Sequence, residues 1–194
     1  MVRIGFYSET QNTDVKGYLG LYRSSGIIDY VLNNKDLYHL FGNFFGKSDD
    51  WQNIDYTDEN IKMILELFHR LKREGWEGNI VCFTDGEYAE IPSSFTMHGY
   101  DICSDSMYYS PLGDGFLLRY NIYPDFYTDL SYDEYSKYIE DINESGLFTS
   151  YKIAKLFSDY CNQINKKHRY CIESQDNWKP IAVFIYNSKS GSVS

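Results

Sequence analysis

The chain has 194 residues, a hydrophobic fraction of 43% and a formal net charge of −10, values that fit one domain with a core of ordinary size. The acidic balance argues against direct binding to nucleic acid, because phosphates attract cations, and no apolar run reaches the roughly 18 residues that span a bilayer. The first residues lack the apolar core of a secretion signal, so we expect a cytoplasmic protein that does not enter the membrane.

The first part of the chain combines a predicted strand with two predicted helices. A run of β-branched and aromatic residues from Val2 to Ser8 predicts a strand, and residues 17–23 are expected to pair with it. Asn34 is expected to cap a short helix, and Thr57 a longer one that ends at Gly75. Helical spacing predicts buried faces formed by Leu37, Leu40, Phe41 and Phe44 in the first helix and by Ile61, Ile64, Leu65, Phe68 and Leu71 in the second.

The rest of the chain alternates strands with two further helices. Ser131 and Glu134 form a capping box for a helix that ends before Gly146, and Thr149 is expected to open the last helix. Further strands are predicted at residues 79–84, 99–104, 116–122 and 181–186. The predicted inward residues of these two helices are Tyr135, Ile139 and Ile142, and then Ile153, Leu156, Phe157, Tyr160 and Ile164.

The order of these elements has no regular βαβ rhythm, which favours an α+β fold. We expect a mainly antiparallel, twisted sheet of about five to six strands packed against three to four helices. The long helices at 57–74 and 149–166 are expected to cover one face of that sheet. No linker is visible, so residues 1–187 are predicted to form a single globular domain, and the polar residues 188–194 a flexible tail.

The four cysteines are Cys82, Cys103, Cys161 and Cys171, and no two have C-x-x-C spacing. This pattern is neither that of a disulfide framework nor that of a zinc site. We therefore interpret them as small buried hydrophobes in a reducing compartment, and we expect no metal and no cofactor.

A group of carboxylates offers one route to catalysis. Asp85 and Glu87 follow a predicted strand, and Asp101 lies nearby in sequence, so that acid and base roles could be shared with His98. The alternative function is therefore a small hydrolase or transferase. Because the chain carries 28 acids, however, close pairs are expected by chance, and a solvated loop is the favoured interpretation. Asp101 and Asp105 also lack the alternation and the glycine of a calcium loop.

Negative charge is concentrated in residues 101–144, where ten acids stand against Arg119 and Lys137, a net charge of −8. Nine tyrosines fall within residues 99–144. Acidic residues around aromatic anchors suit the binding of a basic protein, since charge speeds association and desolvated rings slow dissociation. The competing interpretation is a solvated acidic face with aromatic residues in the core. Trp178 is likewise either a partner anchor or a cap on the core.

The run GYDICSDS at residues 99–106, followed by SPLGDG at 110–115, resembles a segment of small bacterial immunity proteins encoded beside polymorphic toxins, including those of contact-dependent growth inhibition systems. The resemblance implies a non-enzymatic cytosolic antidote that binds its cognate toxin, often a basic nuclease domain, and blocks its active site. An intracellular scaffold or regulatory module is a third possibility that the sequence does not distinguish. The expected partner contacts are Asp101, Asp105, Tyr108, Tyr109, Asp114, Asp125, Tyr127 and Trp178.

Overall fold

The structure is a computed structural model, and it describes residues 2–7, 33–45, 54–55, 57–76, 78–85, 94–103, 137–167 and 177–187. The elements in chain order are β1 (Val2–Tyr7), α1 (Lys35–Phe45), β2 (Ile54–Asp55), α2 (Asp58–Arg73), β3 (Asn79–Asp85), β4 (Phe95–Cys103), α3 (Tyr151–Lys167) and β5 (Lys179–Tyr186). The predictions at residues 17–23, at 116–122 and for the helix start at Ser131 lie outside the described residues, as does the tail 188–194.

The described strands form one sheet in the order β2-β1-β3-β5-β4. Every pairing is antiparallel: β1 with β2 and β3, and β5 with β3 and β4. At the centre, Cys82 is in register with Ile4 on one side and Phe184 on the other. The prediction of a mixed α+β fold with antiparallel strands is therefore confirmed. β4 begins at Phe95, four residues before the predicted start, and β2 was not predicted.

Both long helices begin and end where local sequence signals placed them or close by. The Oγ1 atom of Thr57 accepts a hydrogen bond from the Asn60 backbone N–H at 3.1 Å, which satisfies an N–H that the first turn of α2 leaves open. Gly75 follows the end of α2 with φ +89°, a left-handed conformation that glycine adopts without strain. Asn34 caps α1 by accepting from the backbone N–H groups of Asp36 and Leu37.

The central strands are buried on both faces. Ile80 and Cys82 of β3 pack against Phe68 and other residues of α2, in a group that we call the α2 cluster. Val81 and Phe83 point the opposite way and belong to a second group, the α3 cluster, which α3 covers with residues that include Phe157. Successive residues of a strand point to opposite faces, so α2 and α3 lie on opposite sides of the sheet.

This arrangement corrects the prediction that the two long helices cover one face. The physical reason is the composition of β3 and β5, in which residues 80–84 and 180–186 are buried without alternation. A strand whose residues are apolar in both directions needs cover on both faces. One layer of helices would leave half of these side chains in water.

Two leucines predicted to face inward are exposed. Leu40 of α1 is 48% exposed and Leu156 of α3 is 46% exposed. The buried stripe of α3 runs instead through Ala154, Phe157 and Ser158. Ala154 is small and Ser158 is polar, so the spacing of large apolar residues did not identify them as buried. The predicted buried face was therefore placed too close to Leu156. The side chains of Phe44 and Ile164 lie outside the described residues.

Among the described residues, no helix is both long and apolar enough to cross a bilayer. Cys82, Cys103 and Cys161 are buried, which confirms their interpretation as small core residues. Cys171 lies outside the described residues. Burial raises the pKa of the Cys82 thiol to about 12 and that of Cys161 well above its usual range, because a thiolate is poorly solvated in the core.

We expect these three thiols to resist alkylation in the folded protein. At about pH 8 the raised pKa values keep the thiols of Cys82 and Cys161 almost entirely protonated, and the thiolate is the reactive species. Burial shields all three sulfur atoms from the reagent. In a Cys171→Ser variant, iodoacetamide should label none of the three under native conditions and all three in concentrated urea, as counted by mass spectrometry. Rapid native labelling of Cys82 or Cys161 would contradict their placement in the core.

Candidate functional site

The acidic stretch, residues 101–144, is described at its two ends only. Its first residues complete β4, and its last residues, 137–144, form a helical turn and the start of the loop that leads into α3. The predicted partner contacts between the two ends lie outside the described residues: Asp105, Tyr108, Tyr109, Asp114, Asp125 and Tyr127. The same holds for Glu87 of the alternative site.

Asp101 lies in the interior. Its exposed fraction is 0%, and its Oδ1 atom accepts a hydrogen bond from the Ile102 backbone N–H at 2.8 Å. The residue is in register with Ile181 of β5, on the face that the α3 cluster covers. A partner that docks on the surface does not reach this carboxylate, which corrects the expectation that Asp101 is a contact residue.

Trp178 is also a core residue, with an exposed fraction of 2%. Its backbone N–H donates to Oδ1 of Asn162 at 2.7 Å. Its carbonyl accepts from Nδ2 of Asn162 at 2.9 Å and from Oγ of Ser158 at 2.6 Å. Two polar side chains of α3 thus fix the backbone just before β5, and of the two interpretations of Trp178 the structure favours the cap on the core.

A tightly closed loop, residues 141–149, follows the helical turn; we call it the edge loop. The Asn143 side chain accepts from the backbone N–H groups of Ser145 and Leu147 at 2.9 and 3.2 Å. Asp141 accepts from Oγ1 of Thr149 at 2.7 Å and from the backbone N–H of Ser150 at 3.0 Å. Asp141 therefore holds the loop together and also caps the start of α3, the role that the sequence assigned to Thr149.

The edge loop docks on the outer edge of β4. Tyr100 and Phe148 exchange two backbone hydrogen bonds of 2.7 and 2.8 Å, and Nδ2 of Asn143 donates to the His98 carbonyl at 2.7 Å. Gly99 lies between these contacts with φ +150°, and a Cβ atom there would stand 2.7 Å from the Phe148 carbonyl oxygen. The close approach of the two segments thus requires glycine at this position.

The aromatic and acidic residues at the described ends of the stretch point in different directions. Tyr138 is 4% exposed, and its ring centroid lies 5.1 Å from that of Phe157 in the α3 cluster. Tyr100 is partly buried against both clusters, whereas Glu140 and Glu144 are exposed. At these ends the tyrosines build the core, Glu140 and Glu144 face the solvent, and Asp101 is enclosed.

His98 is exposed at a β-bulge, where the register of β4 shifts between Met97 and Gly99. Partial burial lowers the pKa of His98 below its usual range, and the nearby Glu144 carboxylate opposes that effect. The imidazole is therefore mainly neutral at physiological pH. Its described surroundings are the edge loop and solvent.

The structure brings two carboxylates of the alternative catalytic set onto one face. Asp85 and Asp101 are both in register with Ile181, from opposite sides, which puts their Cα atoms about 10 Å apart. Asp85 pairs with Nζ of Lys179 at 3.2 Å, however, and Asp101 is enclosed. Among the described residues, no group of three or more histidines, cysteines and carboxylates is arranged to hold a metal ion.

The sequence patterns did not identify the residues that organise this region. The predicted helix that ends before Gly146 instead ends near residue 140, and Asn143 and Gly146 form a turn. Asn-x-x-Gly is a common turn pattern in which the asparagine side chain accepts backbone N–H groups. Asn162 and Ser158 gave no signal, because their partner, the Trp178 backbone, is reached only in the folded chain.

A Gly99→Ala substitution is expected to lower the free energy of unfolding by roughly 2–4 kcal/mol, because the new methyl group collides with the Phe148 carbonyl. Gly75→Ala is the matched control: its φ is also positive, but its new methyl group would meet no neighbouring atom within 4 Å, so it should cost only about 1–2 kcal/mol. Urea unfolding measures both. Equal costs would show that the edge loop does not constrain Gly99.

Asn162→Ala is expected to cost roughly 2 kcal/mol of folding free energy, because it leaves the buried Trp178 N–H without its acceptor. Gln163→Ala, one position further along and exposed, should change stability by less than about 0.5 kcal/mol. Chemical unfolding followed by tryptophan fluorescence measures both variants, and a neutral Asn162→Ala would contradict the clamp on Trp178.

No protein-family model matches this chain, and neither a curated protein nor a solved structure was found to be similar to it.

Proposed function

We propose that this chain is a non-enzymatic immunity protein that binds a cognate toxin, a basic nuclease domain, and blocks its active site in the cytoplasm. The observation that carries the proposal is the way the acidic stretch is anchored. Cys103 and Tyr138, the residues on either side of its central part, are both buried in the α3 cluster. The chain therefore leaves and re-enters the same core.

The segment between these anchors is strongly acidic and aromatic. Residues 104–137 contain six acids against Arg119 and Lys137, together with seven tyrosines. A basic nuclease surface is built to receive phosphates, so fixed carboxylates are suitable competitors for it. The tyrosines supply apolar area with a polar tip, which suits partner contacts. We assign the contacts to Asp105, Tyr108, Tyr109, Asp114, Asp125 and Tyr127.

Fixed anchor points favour tight binding, because they restrict the chain between them and so reduce the entropy lost when the partner arrives. The edge loop provides this rigidity at the C-terminal anchor through its backbone pairing with β4. We further infer that the complete fold has the five to six strands and three to four helices expected from the sequence, in one domain over residues 1–187.

The direct test expresses the C-terminal domains encoded by the genes that flank this chain's gene, each with and without this chain, to find a toxin domain. The immunity protein should co-purify with that domain in equal amounts and restore growth to cells that express it. Growth inhibition that persists despite abundant folded protein, or a purified pair that does not associate, would refute the proposal.

Charge reversal tests the acidic contacts. The Asp105→Lys, Asp114→Lys double variant should associate with the toxin domain roughly tenfold more slowly at low salt, with a shallower salt dependence, since steering charges act mainly on the association rate. The control, Glu59→Lys with Glu74→Lys, changes the net charge equally at exposed positions of the α2 region. Stopped-flow kinetics with identical results for the two double variants would assign the effect to net charge alone.

A further inference from the structure

β4 is the last strand in the order of the described sheet, and its two halves have different outer edges. The half that follows the bulge pairs with the edge loop through Tyr100 and Phe148. Within the described chain, no segment pairs with the outer edge of residues 95–97, whereas the His98 carbonyl already accepts a hydrogen bond from Nδ2 of Asn143. The half that precedes the bulge contains Thr96, Met97 and His98, all exposed.

Exposed strand edges readily accept another extended chain, because their backbone N–H and C=O groups are ready to pair. The edge loop shows that β4 accepts a backbone partner at Tyr100. The side chains suit a partner as well: Met97 is 41% exposed, and methionine adapts to varied apolar contacts. The Thr96 side chain is already held, since its Oγ1 accepts a hydrogen bond from Asn187.

The charge beside this edge is negative. Glu144 lies close enough to His98 to act on its charge, and it is exposed, as is Glu140 on the preceding helical turn. The one base in residues 137–150 is Lys137, whose ammonium group lies 5.0 Å from the Tyr138 ring centroid. An incoming strand that carries lysine or arginine would meet complementary charge here.

We propose that the outer edge of residues 95–97 binds an extended, basic segment of the partner as an added β-strand. This inference rests on the proposed function and specifies how the toxin is held. The bulge at His98 ends the added strand, and the edge loop lies beyond it. The exposed acid Glu144, next to the Asn143 that contacts the His98 carbonyl, sets the preference for a basic segment.

Hydrogen exchange measured by mass spectrometry on the complex with the neighbouring toxin domain tests this placement. The peptide that covers residues 94–99 should exchange about tenfold more slowly in the complex than in the free protein, while a peptide from the first turns of α2 should be unchanged. A stable, protective complex with unaltered exchange at 94–99 would overturn the added strand and leave the proposed function intact. Failure of any complex to form would remove both.

A matched pair of variants provides a second test. Met97→Lys places a cation where a basic strand is expected and should weaken toxin binding by roughly tenfold or more. Leu156→Lys changes a leucine of similar exposure, 46% against 41%, on α3 and should leave binding unchanged. Urea unfolding checks that both variants are folded. Equal affinities of the two variants for the toxin domain would rule out the edge as the docking site.

Discussion

The two-sided burial of β3 and β5 is the constraint on which the rest of the described structure depends. Each fully buried leucine, isoleucine or phenylalanine contributes roughly 1.5–3 kcal/mol, and these strands direct such residues to both sides. The α2 cluster and the α3 cluster exist because neither face of the sheet can be left in water. The positions of α2 and α3 follow from that requirement, as does the enclosure of Trp178 at the start of β5.

The outer edge of the sheet follows a different physical rule. At the outer edge of β4 the requirement is a hydrogen-bond partner for backbone N–H and C=O groups rather than burial of apolar side chains. The edge loop supplies that partner for Tyr100. A single glycine allows the loop to come close enough, and Asn143 and Asp141 keep the loop in shape. The acidic stretch begins and ends at this edge, so backbone pairing and surface charge are combined in one part of the molecule.

Features of the fold that depend on neighbouring residues could be predicted from the sequence, and features that depend on distant residues could not. Thr57, Asn34 and Gly75 act on residues within one helical turn, so their roles could be derived from the sequence. The side of the sheet on which α3 lies depends on β3 and β5, which are distant from α3 in sequence. The unbroken apolar runs of these two strands do indicate that both faces of the sheet are buried. For the candidate site, the sequence located the acidic stretch but could not show that Asp101 points inward, because carboxylates are usually solvated and strand direction is decided by pairing.

The shared anchoring of Cys103 and Tyr138 has a consequence for how such a protein changes over time. The entropy of joining two fixed points grows only with the logarithm of the chain length between them, about 0.6 kcal/mol for each doubling. Loop closure therefore opposes insertions between these anchors only weakly, whereas a Cβ at Gly99 meets the Phe148 carbonyl directly. Under the function proposed above, a lineage that keeps pace with an altered partner could lengthen the intervening segment while Cys103, Tyr138 and Gly99 are kept.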